Sequence, residues 1–246
     1  MVSRIFIINV GVNASHGNLR SPVYRDGKFE FVPIPEPIKS KRGCPNCLFL
    51  PRYRDLFKEK LQYVPPKCYD LRVHNDPEFE TFTYGDYPTI IPRASNLRRI
   101  EKDDYLFFLA RMVKWENGKF SNKAGFYVIG FFEIEKVIKE ITSEPSATLL
   151  KEIRENAHMK RAMWNPEWYD RFWIFKGSKR SERFEHVVPF TRGFVDRVLL
   201  DRECNKLMWG RKRSELQVIG SHTRACRIIQ DKERVKEFFS KIRRHT

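Results

Sequence analysis

Three histidines lie in polar segments that also carry carboxylates and amides. Asn13, Ser15 and His16 share one segment, with Asp26 further along. His74, Asp76, Glu78 and Glu80 share a second, followed by Tyr84 and Asp86. Asn156 and His158 share a third. Imidazole titrates near neutrality and a carboxylate can orient it. Convergence of His16, His74, Asp76 and His158 would therefore make a general acid–base centre. Asn13, Ser15, Asp26, Tyr84, Asp86 and Asn156 could hydrogen-bond the Watson–Crick edge of an extruded base. The same residue types also cap turns, and no spacing matches HExxH or Gly-x-Ser-x-Gly.

A second chemistry is written in aromatics and cations. Trp164, Trp168, Tyr169 and Trp173 crowd one short stretch, and Lys176, Lys179 and Arg180 follow it. Aromatic faces can stack on an unpaired base while cations hold its phosphates. Trp173 lies in an alternating strand and also suits a core. Arg211, Lys212, Arg213 and Arg224 extend the series, with Arg227, Lys241, Arg243 and Arg244 beyond. Such contacts position a nucleic acid without reading its sequence.

Cys44 and Cys47 form a CxxC, with Cys68 and His74 downstream. Thiolates and an imidazole could make a Cys₃His zinc site. A second CxxC is missing, and the bare reading of two small buried side chains on a turn ranks slightly ahead of zinc. The Ser40-Lys41-Arg42-Gly43 context reads as a loop, not as the helix start that a redox CxxC needs. Five cysteines, an odd number, argue against a secreted disulfide scaffold.

The elements that must position these groups are strands with interspersed helices. Arg4–Val10 reads as a buried first strand, and Ser21–Phe31 as a hairpin around Asp26-Gly27. Residues 38–92 are broken by prolines and read as an irregular insertion, with a short helix from Tyr53 to Leu61. Tyr105–Val113 and Gly125–Val137 are strongly apolar strands, and Gly130 marks a bend. Leu149–Arg161 reads as an exposed helix, Arg171–Gly177 as a strand and His186–Phe190 as a short strand. Phe194–Leu200 reads as a helix and Leu216–Gly220 as a last strand. Residues 231–246 close the chain with a basic amphipathic helix, with Val235, Phe238, Phe239 and Ile242 on one face. No regular βαβ alternation appears. The expected class is α+β: a bent mixed sheet or PUA-like pseudo-barrel with flanking helices, as one elaborated domain over 1–246. Gly-rich phosphate loops and dinucleotide fingerprints are absent.

The 246 residues carry 47 Lys and Arg against 31 Asp and Glu, a net charge of +16. Residues 151–246 hold 24 basic and 13 acidic side chains, so +11 of the +16 lies there. A polyanion is the natural partner of such a surface. Few glutamines among many charges hint at a thermophilic source. The longest apolar run, Phe126–Phe132, is far short of the ~20 residues of a membrane span. The start resembles no signal peptide, which makes the cytoplasm the expected location.

The runs Asn9-Val10-Gly11-Val12-Asn13-Ala14-Ser15-His16-Gly17, Leu19-Arg20-Ser21-Pro22-Val23 and Asp26 to Glu36 resemble the third of the nucleotide modification associated domains. The resemblance continues through His74 to Phe79, Thr83 to Asp86, Asp103 to Ala110, Tyr127 to Phe132, Asn156 to His158, Lys176 to Ser178 and Gln217 to Gly220. It implies a link to DNA base-modification and restriction-type systems, with DNA favoured over RNA as partner, and assigns no reaction. The middle of the chain is also similar to PUA-like domains of the ASCH, EVE and YTH kind, which read modified or flipped bases. Asp103-Asp104 stands where that pattern has Gly-Asp. The leading expectation is a nucleic-acid-binding protein that seats a base near Trp164, Trp168 and Trp173. The alternative is an enzyme acting on nucleic acid or nucleotides through His16, His74, Asp76 and His158.

Overall fold

Ile5–Val10 is a run of β-branched and aromatic side chains, and it forms the first strand, β1, almost wholly buried. The computed structural model describes residues 3–36, 43–57, 61–200, 207–210 and 212–244. The elements after β1 are β2 (Ser21–Val23), β3 (Ile34–Pro35), α1 (Tyr53–Phe57), β4 (Val73–His74), β5 (Thr83–Asp86), β6 (Tyr105–Glu116) and β7 (Lys119–Ile141). There follow α2 (Ala147–Ile153), α3 (Ala157–Trp164), β8 (Phe172–Gly177), β9 (Glu182–Pro189), α4 (Arg192–Val198), α5 (Glu215–His222), β10 (Arg227–Ile229) and α6 (Lys232–Arg243).

The main sheet runs β10-β1-β6-β7-β8-β5, with β2 also on β6 and β9 also on β7. β1 and β2 lie parallel to β6, and the other pairs are antiparallel. The result is an α+β molecule with a bent mixed sheet that does not close into a barrel. β7 serves three neighbours, with β9 paired along Tyr127–Phe131. Its first part pairs with β6 and its last part, from Ile134 to Ile141, with β8. The pairing with β6 slips at Gly130, where a Cβ would sit 2.4 Å from the Glu182 carbonyl oxygen. That bulge lets the long strand turn. Asn117 and Gly118, at φ 52° and 75°, make the tight turn between β6 and β7.

Period-two alternation splits the core. Phe6, Ile8, Leu106, Phe108 and Met112 face one side, where Leu97, Ile100 and Tyr84 cover them. Ile5, Ile7, Phe107 and Leu109 face the other, under α4 to α6. Phe238 of α6 meets Phe107 edge-on at 4.7 Å. A separate cluster of Val12, Val32, Tyr53, Phe57 and Val73 organises the proline-rich stretch.

Three expectations change. Leu216–Gly220 is helical, not extended. Ser214 and Gln217 form a capping box that starts α5, and Val218 and Ile219 supply a buried face. Leu149–Arg161 is two helices, broken before Asn156, and the second is buried at His158, Met159, Arg161 and Ala162. The expected hairpin keeps its turn (Gly27 N–H to Tyr24 O, 3.1 Å) but only an isolated bridge between Val23 and Phe29. Among the described residues no helix is long and apolar enough to cross a membrane.

Candidate functional site

The small sheet of β3 and β4 sets Ile34 opposite His74. Glu36, just past β3, thereby comes beside the imidazole, with Oε1 3.1 Å from His74 Nδ1. Its other oxygen accepts the Cys44 N–H at 2.7 Å. Asp76 leaves β4 and accepts the Gly85 N–H of β5 on Oδ2 at 2.8 Å. Asn156 caps α3 and accepts the His158 N–H at 3.0 Å. The three elements meet so that His74 Nε2 and His158 Nε2 lie 3.1 Å apart. Each is 3.7 Å from Asp76 Oδ2. The His158 ring stacks on Phe172 at 5.5 Å, and Tyr87 meets it edge-on at 5.1 Å. Rings on two sides leave the imidazole one orientation.

A cavity of about 210 Å³ lies over this cluster, lined also by Asn9, Tyr84, Asp86, Tyr87, Arg93 and Arg161. It is below the ~300–1,000 Å³ of drug-sized pockets, so it suits a group the size of one ring. Arg161 is buried in α3 with its guanidinium 3.9 Å from the Trp168 ring centroid. The Tyr84 hydroxyl donates to Asp86 at 2.7 Å. Alternate residues of the extended segment after His74 face elsewhere: Asn75 and Pro77 line a larger cavity of about 600 Å³ with Glu30, Glu78, Glu155 and Lys160.

The charges of the cluster are unequal. Burial alone would push His74 down, but the Asp76 and Glu36 carboxylates outweigh it and hold the imidazole up at about 9. Burial raises Asp76 to about 6 against the opposing pull of His74 and the Gly85 N–H. Burial, reinforced by the His74 charge, drives His158 well below its ordinary value. A proton-holding imidazole therefore faces a neutral one, with a carboxylate beside both. Such a set can pass a proton, and the same three donor atoms, all within 4.8 Å of one another, can also ligate a cation.

The other expected site residues go elsewhere. His16 closes a capping box in which its Nδ1 accepts the Asn13 N–H at 3.0 Å. Asn13 in turn accepts from Ser15. Asp26 accepts the Lys28 N–H in its turn. Tyr84, Asp86 and Asn156 do surround the His–Asp cluster. The tryptophans occupy three settings: Trp173 in the main core, Trp164 edge-on to Phe49 at 5.6 Å, and Trp168 beneath Arg161 beside Cys44 and Cys47. Cys68 packs with the Tyr53 cluster, away from the CxxC. Among the described residues, the group of donors that converges is His74, Asp76 and His158. Lys176 donates to the Thr81 carbonyl, and Arg180 pairs with Glu133. Lys179, Lys212, Arg213 and Arg224 are exposed, and Arg211 lies outside the described residues. Glu36, Gly85, Tyr87, Arg93 and Arg161 were not singled out from sequence. A glutamate between prolines is the faint signal for Glu36 and a glycine between Tyr84 and Asp86 that for Gly85; Tyr87, Arg93 and Arg161 carry none.

The structure is thus an α+β protein with an open mixed sheet and a buried His–Asp–His cluster beside a ring-sized cavity. Residues 4–217 match the family described as nucleotide modification associated domain 3, and the chain belongs to it. No curated protein and no solved structure matches the chain. Family membership associates it with nucleotide modification systems.

Proposed function

We propose that this protein is an enzyme of a nucleotide modification system that acts on a single base or nucleotide at His74, Asp76 and His158. The observation that carries the reading is the meeting of these three groups, 3.1 to 3.7 Å apart, on the floor of the small cavity. Tyr84, Asp86 and Tyr87 offer hydrogen bonds and a ring face to a base, and Arg93 and Arg161 offer positive charge to an anionic group. A base-reading pocket of Trp164, Trp168 and Trp173 has less support, because the three rings lie apart. The net charge favours a nucleic acid as the carrier of that base, and the family's link to nucleotide modification systems puts DNA before RNA.

Imidazole-region NMR of the full chain, titrated with nucleosides, nucleotides and short single-stranded DNA, tests the binding half. The His74 and His158 resonances should shift and the His16 resonance should stay. Mass spectrometry of DNA and nucleotides incubated with the protein tests the catalytic half. Asp76→Asn and His158→Gln should lower any conversion by about 10²- to 10⁴-fold. Shifts confined to other histidines, or conversion unaffected by both substitutions, would overturn the proposal.

A further inference from the structure

We infer that His74 Nε2, His158 Nε2 and the Asp76 carboxylate form a binding site for one divalent transition-metal ion. The inference rests on reading this pocket as the functional centre, and says what completes it. Four observations carry it. Two imidazole nitrogens point at each other from separate elements at 3.1 Å, and Asp76 Oδ2 is 3.7 Å from both. An ion about 2.1 Å from each donor would subtend about 95° between the imidazoles and about 120° to the carboxylate, a distorted tetrahedral arrangement that a small shift of Asp76 would regularise. The His74 ring has its other nitrogen on Glu36, the carboxylate–histidine–metal arrangement that fixes a ligating tautomer. Finally, Asp76 is almost wholly buried, and its Oδ1 has no hydrogen-bond partner. The carboxylate whose Oδ2 faces both imidazoles thus keeps one buried oxygen with no protein donor, and a cation at the group would offset that cost.

The donor set chooses the ion. Two imidazoles and one carboxylate favour iron(II), cobalt(II), nickel(II) or zinc(II) over calcium or magnesium, which take oxygen ligands. Three protein ligands leave positions open, and the cavity bounded by Tyr87, Arg93 and Arg161 is where a small ligand would reach them. Gly85 makes room for the ring: a Cβ there would lie 2.3 Å from His158 Cδ2. The CxxC is the competing site: the Cys44 N–H donates to Glu36 and Cys47 Sγ lies 3.7 Å from the Lys160 carbonyl, but neither thiol belongs to the converging donor group.

The test uses the full chain, stripped with a chelator and titrated with cobalt(II) and then zinc(II). Visible d–d absorption reports the cobalt, and equilibrium dialysis with elemental analysis reports stoichiometry. One equivalent should bind, without thiolate charge-transfer absorption. Asp76→Asn and His158→Gln should each weaken binding by more than about tenfold, and Glu36→Gln by about 10- to 100-fold. Cys44→Ser with Cys47→Ser should leave affinity unchanged. Absence of a stoichiometric ion overturns the inference, as does thiolate absorption, or binding lost in the cysteine variant and kept in His158→Gln. Should His158→Gln fail to fold, the wild-type cobalt spectrum and the Glu36→Gln affinity decide alone. Nucleotide-induced shifts of His74 and His158 without any metal uptake would defeat the metal site and leave the proposed function standing. Metal uptake with no response to any nucleotide would do the reverse.

Discussion

Gly85 has room for no side chain. Its backbone N–H holds Asp76, and a Cβ would strike His158 and come within 2.9 Å of Asn156 Oδ1. Gly85→Ala should therefore destabilise the fold by about 1–3 kcal/mol, as overpacking of a filled site does. It should also tilt the His158 ring, read as a changed imidazole resonance in the absence of ligand. Unaltered stability with an unmoved ring would mean that the contact is not tight. The same corner shows how far residue types alone can be read. His74, Asp76 and His158 stand out in the sequence, because buried chemistry has few residue types to draw on. Their meeting does not stand out, because it joins positions 84 residues apart through strand pairing and a helix cap. His16 has the same credentials in sequence, yet its ring is engaged by the N–H of Asn13 within its own turn. Arg161 ends a segment that reads as an exposed helix, and Glu36 stands between two prolines with nothing local to bury it. They are buried because β3 pairs with β4 and because Trp168 lies under the guanidinium.

Strands with an apolar run and a turn signal are legible: β1, β6, β8 and the helices α4 and α6 fall within a few residues of where the pattern puts them, while β7 extends beyond Gly125–Val137 to Lys119 and Ile141. The expected exposed helix Leu149–Arg161 is two helices with the second buried, and a short apolar segment, α5, is one that periodicity cannot assign when a strand and a helix fit equally well. Parallel pairing of β1 with β6 could not be read either, since nothing local in either strand encodes a partner a hundred positions away. Tertiary ties between elements are likewise invisible, and Glu133 shows one. It lies in β7 and accepts from Ser178 Oγ at 2.5 Å and Arg180 Nε at 2.6 Å, pinning the turn from β8 to β9. Burial pushes this carboxyl up, but the Ser178 and Arg180 hydrogen bonds outweigh it and hold it below its ordinary 4.5. The stabilisation is thus present above pH 4.5 and is lost as pH falls through the lowered value. Glu133→Gln should lower Tm by about 2–4 °C at pH 7. The two proteins should converge in acid, in thermal melts run from pH 7 to pH 3. Parallel Tm curves across that range would remove Glu133 from the acid response.

The distribution of charge over the whole molecule separates structural cations from available ones. The excess of +11 after residue 150 suggested a continuous phosphate-binding face. The fold uses part of it internally: Arg180 serves Glu133, Lys176 the Thr81 carbonyl, and Arg161 the pocket. The basic C-terminal helix is first a packing element, with Val235, Phe238 and Ile242 buried against the sheet. Removing α6 should therefore unfold the protein, and truncation says nothing about binding. Charge neutralisation at exposed positions does. Lys212, Arg213 and Arg224 are exposed and lie before and after α5. If they meet phosphates, duplex binding measured by fluorescence anisotropy should weaken with salt, log K falling with log[salt] by about 0.9 per contact. Replacing the three with glutamine should make that slope shallower by about 3, leave Tm within about 1 °C of wild type, and weaken all sequences alike. An unchanged slope would assign these cations to a solvated surface and move the nucleic-acid contact to the mouth of the His74 pocket, where Arg93 and Arg161 remain. There, neutralising Arg93 should cut affinity for single nucleotides as much as for DNA, a result that a groove along the helices cannot produce.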